Sequence, residues 1–242
     1  MSHFFDRPSP NFDARAIRMG AAGQDIDILL LHYTGMTSAE AALARLCDPA
    51  AKVSAHYCID EDGTCTRLVD EAHRAWHAGV ASWAGESDIN GRSIGIELVN
   101  PGHEFGYRPF PAPQMARLID LCRDILSRHP IPPARVLGHS DVAPQRKQDP
   151  GELFDWAGLA AEGIGLWPNT PASATVPTIA EIQGMLRRYG YAVPQTGMLD
   201  DETKAVLVAF QRHFRPHDVS GALDGETVSR LLALVDGGGA RA

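Results

Sequence analysis

The loop from Gly138 to Pro150 concentrates side chains that could bind a metal or take part in catalysis. It follows an apolar strand-like run and holds a histidine, a lysine and an aspartate. These residues are His139, Lys147 and Asp149. Lys147 and Asp149 are two residues apart, so in an extended loop their side chains share one side and reach the same cavity. The loop is therefore a candidate for metal binding and catalysis.

A second imidazole, that of His32, follows the apolar run of residues 26–31. Together, the loop and His32 offer two imidazoles and one carboxylate. This is the ligand count of a catalytic zinc site whose fourth position stays open to water. Such a site generates a nucleophile at neutral pH.

A carboxylate lies in a third strand-like run, residues 93–100. Alternation puts Ile94, Ile96 and Leu98 on one face of the strand and Glu97 on the other. A bare charge on a strand face is costly unless it has a partner or a function. A salt-bridged strand glutamate is one interpretation, but beside a candidate metal loop we favour a functional one.

Several motifs occur along the chain in a fixed order, which is far more specific than any one of them. They are Leu31–Thr34, Val53–Tyr57, Asp62–Gly63, Ala75–Gly79, Ser93–Leu98 and Gly138–Trp156. With these motifs the stretch from His32 to Pro150 resembles the zinc-dependent N-acetylmuramoyl-L-alanine amidases of the type 2 amidase family. The likeness is strongest to the branch of AmiD-type and AmpD-type enzymes.

This resemblance implies roles for five residues. His32, His139 and Asp149 would bind Zn²⁺, Glu97 would be the acid/base residue, and Lys147 would stabilise the oxyanion. Amide hydrolysis needs a polarised carbonyl, an activated water, a proton for the leaving amine and stabilisation of the oxyanion. The implied reaction is hydrolysis, by a zinc-activated water, of the amide bond between N-acetylmuramic acid and L-alanine in peptidoglycan or muropeptides.

Two further segments bear on substrate recognition. Trp76 and His77 lie in a glycine-flanked loop that matches the family's cleft-lining segment, so we predict substrate contacts there, with plain loop packing as the alternative. Asp88 stands where the cytosolic recycling branch carries an arginine. We therefore expect the enzyme to accept both anhydro and reducing forms of the sugar.

Two other positions bear on which residues bind the metal and which residue transfers the proton. His56 is predicted to be a hydrogen-bonded histidine near the site rather than a ligand. Some relatives carry a catalytic tyrosine at the position of Ala55, and its absence agrees with proton transfer by Glu97.

Composition and charge exclude other classes of protein. The chain has 242 residues, of which 44% are hydrophobic and 21% charged, and a formal net charge of −8. We expect a soluble globular chain, and its acidity disfavours nucleic acids and anionic membranes as partners. No signal peptide or membrane-spanning run is visible, which predicts a cytoplasmic protein, or a periplasmic one if the N-terminus was trimmed. The oligomeric state is left open.

The arrangement of strand-like and helical patterns indicates an α/β domain with a central sheet covered by helices. Helical patterns cover residues 38–46 and 114–128. The strand ends are expected to gather His32, Glu97 and His139 at one edge, and the family resemblance implies a mixed sheet.

The four cysteines show no Cys-x-x-Cys spacing. Cys58 and Cys65 flank a hairpin signal and could face each other across two strands. We interpret all four cysteines as small core residues.

The chain divides into three parts. Residues 1–168 form the predicted catalytic domain, residues 169–177 a linker rich in Pro, Ser, Thr and Ala, and residues 178–242 a small helical domain. In that last part the segment 197–203 recurs at 221–227, with an aspartate in each copy placed to cap the next helix.

The C-terminal part is predicted to be a three-helix domain, since Val206, Phe210 and Phe214 share one helix face. It resembles the peptidoglycan-binding domain type 1 over residues 178 to 235. As a tethered wall-binding module it would matter mainly for polymeric substrate, because tethering raises the local substrate concentration. The alternative is a structural cap on the catalytic domain.

Two other functions compete with the amidase. One is a non-catalytic peptidoglycan receptor on the same fold, and the three candidate ligands count against it. The other is a zinc peptidase acting on bonds of the stem peptide, which shares the metal chemistry and differs only in the substrate groove.

Overall fold

A computed structural model describes residues 4–16, 26–168, 170 and 175–237. Its strands are β1 (Phe5–Asp6), β2 (Phe12–Ala14), β3 (Ile28–Tyr33), β4 (Tyr57–Ile59), β5 (Cys65–Arg67), β6 (His73–Ala75), β7 (Ser93–Leu98) and β8 (Val136–Gly138). Its helices are α1 (Ala39–Cys47), α2 (Ile89–Arg92), α3 (Gly102–Phe105), α4 (Ala112–Arg128), α5 (His139–Val142), α6 (Trp156–Ala161), α7 (Ile179–Tyr189), α8 (Asp201–Phe214) and α9 (Gly225–Asp236). A 3₁₀ turn, Pro133–Arg135, precedes β8.

A six-stranded mixed sheet lies at the centre of the molecule, with strand order β1-β5-β4-β7-β3-β8. Strands β4, β7, β3 and β8 are parallel to one another, whereas β4 and β5 form an antiparallel hairpin. Strands β2 and β6 pair separately. The predicted α/β class with a mixed sheet is confirmed.

Two predicted helices are found close to their expected bounds. Helix α1 begins after Ser38, whose side chain accepts a hydrogen bond from the Ala41 amide. Helix α4 begins at Ala112, two residues before the predicted Gln114, because Pro113 fits in a first helical turn.

Strand β3 is buried from Ile28 to His32 because helices cover both faces of the sheet. Leu29 and Leu31 pack in one cluster with residues of α4, whereas Ile28 and Leu30 pack in another with residues of α7, α8 and α9. The continuous apolar run before His32 reflects this double burial.

The pairing of β4 with β5 corrects the expectation for the cysteines. Cys58 lies opposite Thr66 and Cys65 lies opposite Ile59, so the two thiols are one register step apart and point to opposite faces of the sheet. All four cysteines are free; three are buried and Cys47 is half-buried.

The C-terminal region forms the predicted three helices, α7 to α9. The two copies of the repeat end in equivalent caps, since Asp200 and Asp224 each accept a hydrogen bond from the amide of the threonine three residues on. Two buried glutamines, Gln183 and Gln211, bind the loops that precede these caps. The repeat therefore encodes one helix-loop-helix unit used twice.

The boundary between the two parts is only partly described. Of the predicted linker 169–177, residues 169 and 171–174 lie outside the described residues. Among the residues that are described, no helix combines the length and apolarity needed to cross a membrane.

Candidate metal centre and active site

Parallel pairing of β3 with β7 and β8 brings together the three strand ends that carry the candidate site residues. His32 is in register with Glu97 on β7, and Leu31 is in register with Gly138 on β8. In-register residues of neighbouring strands point to the same side of a sheet, so the side chains of His32 and Glu97 share a face. His139 follows Gly138 directly and thus emerges beside His32, as the sequence predicts.

Three side-chain atoms converge at this edge. The distance from His32 Nδ1 to His139 Nδ1 is 3.0 Å, and Asp149 Oδ2 lies 2.9 Å from His32 Nδ1 and 3.0 Å from His139 Nδ1. All three residues are buried. They form a cluster that could hold a metal ion.

The partner of the other ring nitrogen fixes the tautomer of His139. Its Nε2 lies 2.9 Å from the carbonyl oxygen of Ala78, which can only accept a hydrogen bond. Nε2 therefore carries the proton, and in the neutral ring Nδ1 presents a lone pair to the cluster. Arg146 donates to the same carbonyl at 2.9 Å and so holds it in place.

A chain of hydrogen bonds fixes His32 in the same way. The Ser93 hydroxyl donates to the Ile89 carbonyl at 2.6 Å, so its oxygen accepts from His77 Nε2 at 3.3 Å. His77 Nδ1 is then an acceptor for His32 Nε2, 3.1 Å away. His32 thus also turns an unprotonated Nδ1 toward the cluster.

The charge states agree with a metal site. Burial lowers the pKa of His32 to about 4, and burial also lowers the pKa of His77 well below its usual value. Burial opposes ionisation of Asp149, but the two histidines hold the pKa of that carboxyl well below its usual range. Three electron-pair donors about 3 Å apart repel one another unless a proton or a cation lies between them.

The spacing of the three atoms suits a small dication. Ligand atoms about 2.0–2.1 Å from a tetrahedral Zn²⁺ lie about 3.3 Å from one another. The three observed separations, 2.9 to 3.0 Å, are slightly shorter than this. Two imidazoles and one carboxylate therefore fit a tetrahedral ion with one position left for a water or substrate.

Glu97 lies beside this cluster with a free carboxylate oxygen. Its Oε2 is buried and has no hydrogen-bond partner among the described residues. Burial, reinforced by the Asp149 carboxylate, raises the pKa of Glu97 well above its usual value, whereas Lys147 opposes that shift. An unpartnered carboxyl with a raised pKa is suited to taking up and releasing a proton.

A cavity of about 380 Å³ opens onto these groups. His32, Glu97, Lys147 and Asp149 all line it, with Lys147 half-buried. The expectation that Lys147 and Asp149 reach one cavity is thereby confirmed. Trp76 also lines this cavity and is half-buried, so a substrate contact there stays a prediction.

Three other predicted residues have different surroundings. His77 borders the cavity, but it is buried and both ring nitrogens are engaged by His32 and Ser93. His56 packs edge-to-face on His77 with ring centroids 5.7 Å apart, and its Nδ1 accepts from the Gly95 amide. Asp88 caps α2 and binds Arg74, so its carboxylate gives no support to the expectation about the sugar.

The sequence did not predict Ser93 and Arg146, which help to orient the rings of His32 and His139 from the side away from the cluster. Ser93 begins β7, and Arg146 lies between the candidate ligands His139 and Asp149. Neither residue has a spacing that marks it, because the partners that link them to the site, His77 and Ala78, belong to a distant loop. The one available signal was that Arg146 adjoins Lys147 in the loop.

Comparison with known proteins gives consistent results. The family model of N-acetylmuramoyl-L-alanine amidase matches residues 22–152, and that of the peptidoglycan binding domain type 1 matches residues 175–231. The chain is 38% identical over 237 residues to N-acetylmuramoyl-L-alanine amidase AmiD of Escherichia coli, covering 89% of this chain and 84% of that protein.

Two solved structures resemble the whole chain. AmiD of Escherichia coli in complex with the substrate anhydro-N-acetylmuramic acid-L-Ala-D-gamma-Glu-L-Lys has a TM-score of 0.82 and 35% identity, covering 96% of this chain and 99% of that one. AmpDh3 of Pseudomonas aeruginosa in complex with anhydromuramic pentapeptide has a TM-score of 0.83 and 34% identity, covering 93% and 97%.

The close packing of His77 on β7 generates a prediction. A Cβ added at Gly95 would lie 2.5 Å from Cγ of His77, so Gly95→Ala must displace the ring that orients His32. We expect the substitution to lower the free energy of unfolding by about 1–3 kcal/mol. Chemical denaturation of the two proteins measures this difference.

The matched control is Gly184→Ala on α7, where a Cβ meets only Arg188 Nη1 at 3.8 Å. Both substitutions restrict the unfolded chain alike, but at Gly184 the helix gains up to about 1 kcal/mol. Equal effects of the two substitutions would contradict the close packing of His77.

Proposed function

The chain belongs to the N-acetylmuramoyl-L-alanine amidase family, and on that premise we propose that it hydrolyses the amide bond between N-acetylmuramic acid and L-alanine with the groups at the sheet edge. The observation that carries the proposal is the cluster of His32, His139 and Asp149 beside the half-buried Glu97, whose buried Oε2 has no hydrogen-bond partner among the described residues.

The metal proposed for this cluster is Zn²⁺, held by His32 Nδ1, His139 Nδ1 and Asp149 Oδ2. When bound, zinc would act as a Lewis acid that polarises the scissile carbonyl and lowers the pKa of water, so that a hydroxide nucleophile is available at neutral pH. The chain contributes the orientation of the ligands. Ala78 O holds the His139 ring, and His77 holds the His32 ring, from the sides away from the ion.

Glu97 is the proposed proton carrier. Its free oxygen can accept a proton from the attacking water, and its raised pKa lets it hold that proton until the leaving nitrogen of L-alanine takes it. A carboxyl whose pKa stayed at its ordinary value would be a weaker base in this role.

Lys147 is the proposed stabiliser of the oxyanion. Its side chain lines the same cavity as Glu97, so it can place a positive charge where negative charge develops on the carbonyl oxygen. The charge of Lys147 also restrains the rise in the pKa of Glu97. One residue thereby serves both the oxyanion and the acid/base group.

The complete set of candidate ligands, His32, His139 and Asp149, argues against a receptor function. A protein that only binds peptidoglycan has no need of a metal site. A peptidase differs only in where the scissile bond lies. The structures that resemble this chain bind anhydromuramyl peptides, and we propose the same class of substrate here.

Asp88 caps α2 and binds Arg74, so it does not bear on the sugar. We propose both anhydro and reducing sugars as substrates because the arginine of the recycling branch is absent from this position. We further propose that residues 1–168 form the catalytic unit, with Trp76 contacting the substrate, and that residues 178–242 contact peptidoglycan. Peptidoglycan and soluble muropeptides are both proposed as substrates.

Product analysis tests the reaction itself. Purified protein incubated with anhydro-N-acetylmuramyl peptide should release the free sugar and an intact stem peptide beginning with L-alanine, as mass spectrometry shows. A shortened peptide still attached to the sugar would indicate a peptidase instead, and unchanged substrate would indicate a receptor.

Metal analysis tests the ligand set. We expect about one Zn²⁺ per chain, since two imidazoles and a carboxylate with one open position are a usual catalytic set. His139→Ala should lose both the metal and the activity, whereas His217→Ala, which alters an exposed histidine paired with Glu226, should keep both. Stoichiometric zinc in His139→Ala would remove His139 from the ligands.

Kinetics test the two catalytic roles. Glu97→Gln keeps shape and removes the proton carrier, so kcat should fall by about 10²–10⁴-fold with zinc still bound. Lys147→Met keeps the length of the side chain but removes its charge, and kcat should fall by about 10²-fold or more. Turnover of Glu97→Gln near that of the wild type would exclude Glu97 as the acid/base residue.

A further inference from the structure

A buried carboxylate, Asp141, joins the metal-binding loop to the C-terminal domain. Asp141 lies in α5, two residues after His139, and is 1% exposed. Its Oδ2 accepts from the Gly138 amide at 2.7 Å and from His213 Nδ1 at 2.7 Å, and its Oδ1 accepts from the Tyr191 hydroxyl at 2.5 Å. Two of these three donors belong to the C-terminal domain.

Asp141 controls the first turn of α5, where His139 stands. Its bond to the Gly138 amide ties the third residue of that turn to the residue before His139. The Ser140 amide in the same turn donates to the carbonyl of Asp149 at 2.9 Å. The turn therefore holds the backbone of two candidate zinc ligands at once.

The donors from the C-terminal domain are held firmly. His213 is 2% exposed, and its ring stacks between Trp156 and Phe214 with centroid distances of 3.7 and 3.9 Å. Tyr191 is also 2% exposed and packs on Trp83 of the catalytic domain at 4.9 Å. A second contact reaches the loop from α8, where Arg212 donates to the Gln148 side chain at 3.3 Å.

A carboxylate buried this deeply needs all its donors, because an unpaired buried charge is far more costly than an exposed one. Loss of Tyr191 or His213 as a donor would force Asp141 to rotate toward other partners or admit water. Either response disturbs the turn that aims His139 Nδ1 and anchors Asp149. The effect would reach the metal even though neither donor touches it.

We infer that Tyr191 and His213 are positioning residues of the amidase, which set the zinc ligands His139 and Asp149 through Asp141. The C-terminal domain is thus part of the scaffold of the metal centre in addition to any contact that it makes with peptidoglycan. This inference rests on the ligand set of the proposed function.

The test uses the full-length chain and a soluble anhydro-N-acetylmuramyl peptide, so that binding to polymeric wall plays no part. Tyr191→Phe removes one hydroxyl and keeps the packing of the ring. His213→Leu removes the donor to Asp141, whereas His213→Asn keeps a donor close to the position of Nδ1. Arg230→Met is the control, since Arg230 binds Pro168 and stacks on Trp167 at the same domain junction but does not reach Asp141.

Three quantities separate positioning from general stability: the zinc affinity by competition with a chelator, kcat and KM on the soluble peptide, and the thermal midpoint. Tyr191→Phe and His213→Leu should weaken zinc binding by about 10-fold and lower kcat with little change in KM. His213→Asn should recover most of both losses. Arg230→Met should lower the thermal midpoint and leave the zinc affinity and kcat as in the wild type.

Unchanged zinc affinity and kcat in Tyr191→Phe would overturn the inference, and that variant decides the matter even if His213→Leu does not fold. Equal losses in Arg230→Met would also overturn it, because they would show an effect of domain docking alone. If the wild-type chain bound no zinc, the proposed function and this inference would both fail. Normal zinc binding in the wild type with unchanged variants refutes only the inference.

Discussion

The mutual repulsion of three electron-pair donors is the constraint on which the rest of this structure depends. His32 Nδ1, His139 Nδ1 and Asp149 Oδ2 lie within 3.0 Å of one another. Left alone, such groups would rotate apart or take up protons. The two rings are instead held from the side away from the centre, His32 by His77 and His139 by the Ala78 carbonyl, and the Ser140 amide holds the backbone carbonyl of Asp149. The polar contacts around the site are thus what makes the convergence possible.

The gathering of the site residues was predictable because it follows from local pattern and from sheet geometry. Glu97 alternates with isoleucines that must face the core, and His32 ends an apolar run, so each could be placed at the end of a strand. Parallel strands then bring those ends to one edge. The helix caps of the C-terminal repeat were equally predictable. Asp200 and Asp224 each accept a hydrogen bond from a residue only three positions further along the chain.

The rest could not be predicted, because it depends on partners that are far apart in the chain. Ser93 fixes the tautomer of His32 only through His77, and Asp141 meets His213 across 72 residues. No spacing in the sequence marks such a pair. The expected facing of Cys58 and Cys65 failed for a related reason: a hairpin signal predicts the turn, but a single step of register decides which thiol points to which face.

The place of the C-terminal helices changes what a peptidoglycan-binding domain can do for this enzyme. The core of the C-terminal domain is continuous with Ile28, Leu30 and Leu137 of the sheet. Separation of the two domains would therefore expose apolar surface on both. A freely tethered module raises the local concentration of substrate. A docked module instead keeps a fixed orientation relative to the cavity. Docking also lets α8 and the segment after α7 supply the donors that Asp141 needs, because Tyr191 and His213 reach its carboxylate only while the helices stay packed on the sheet.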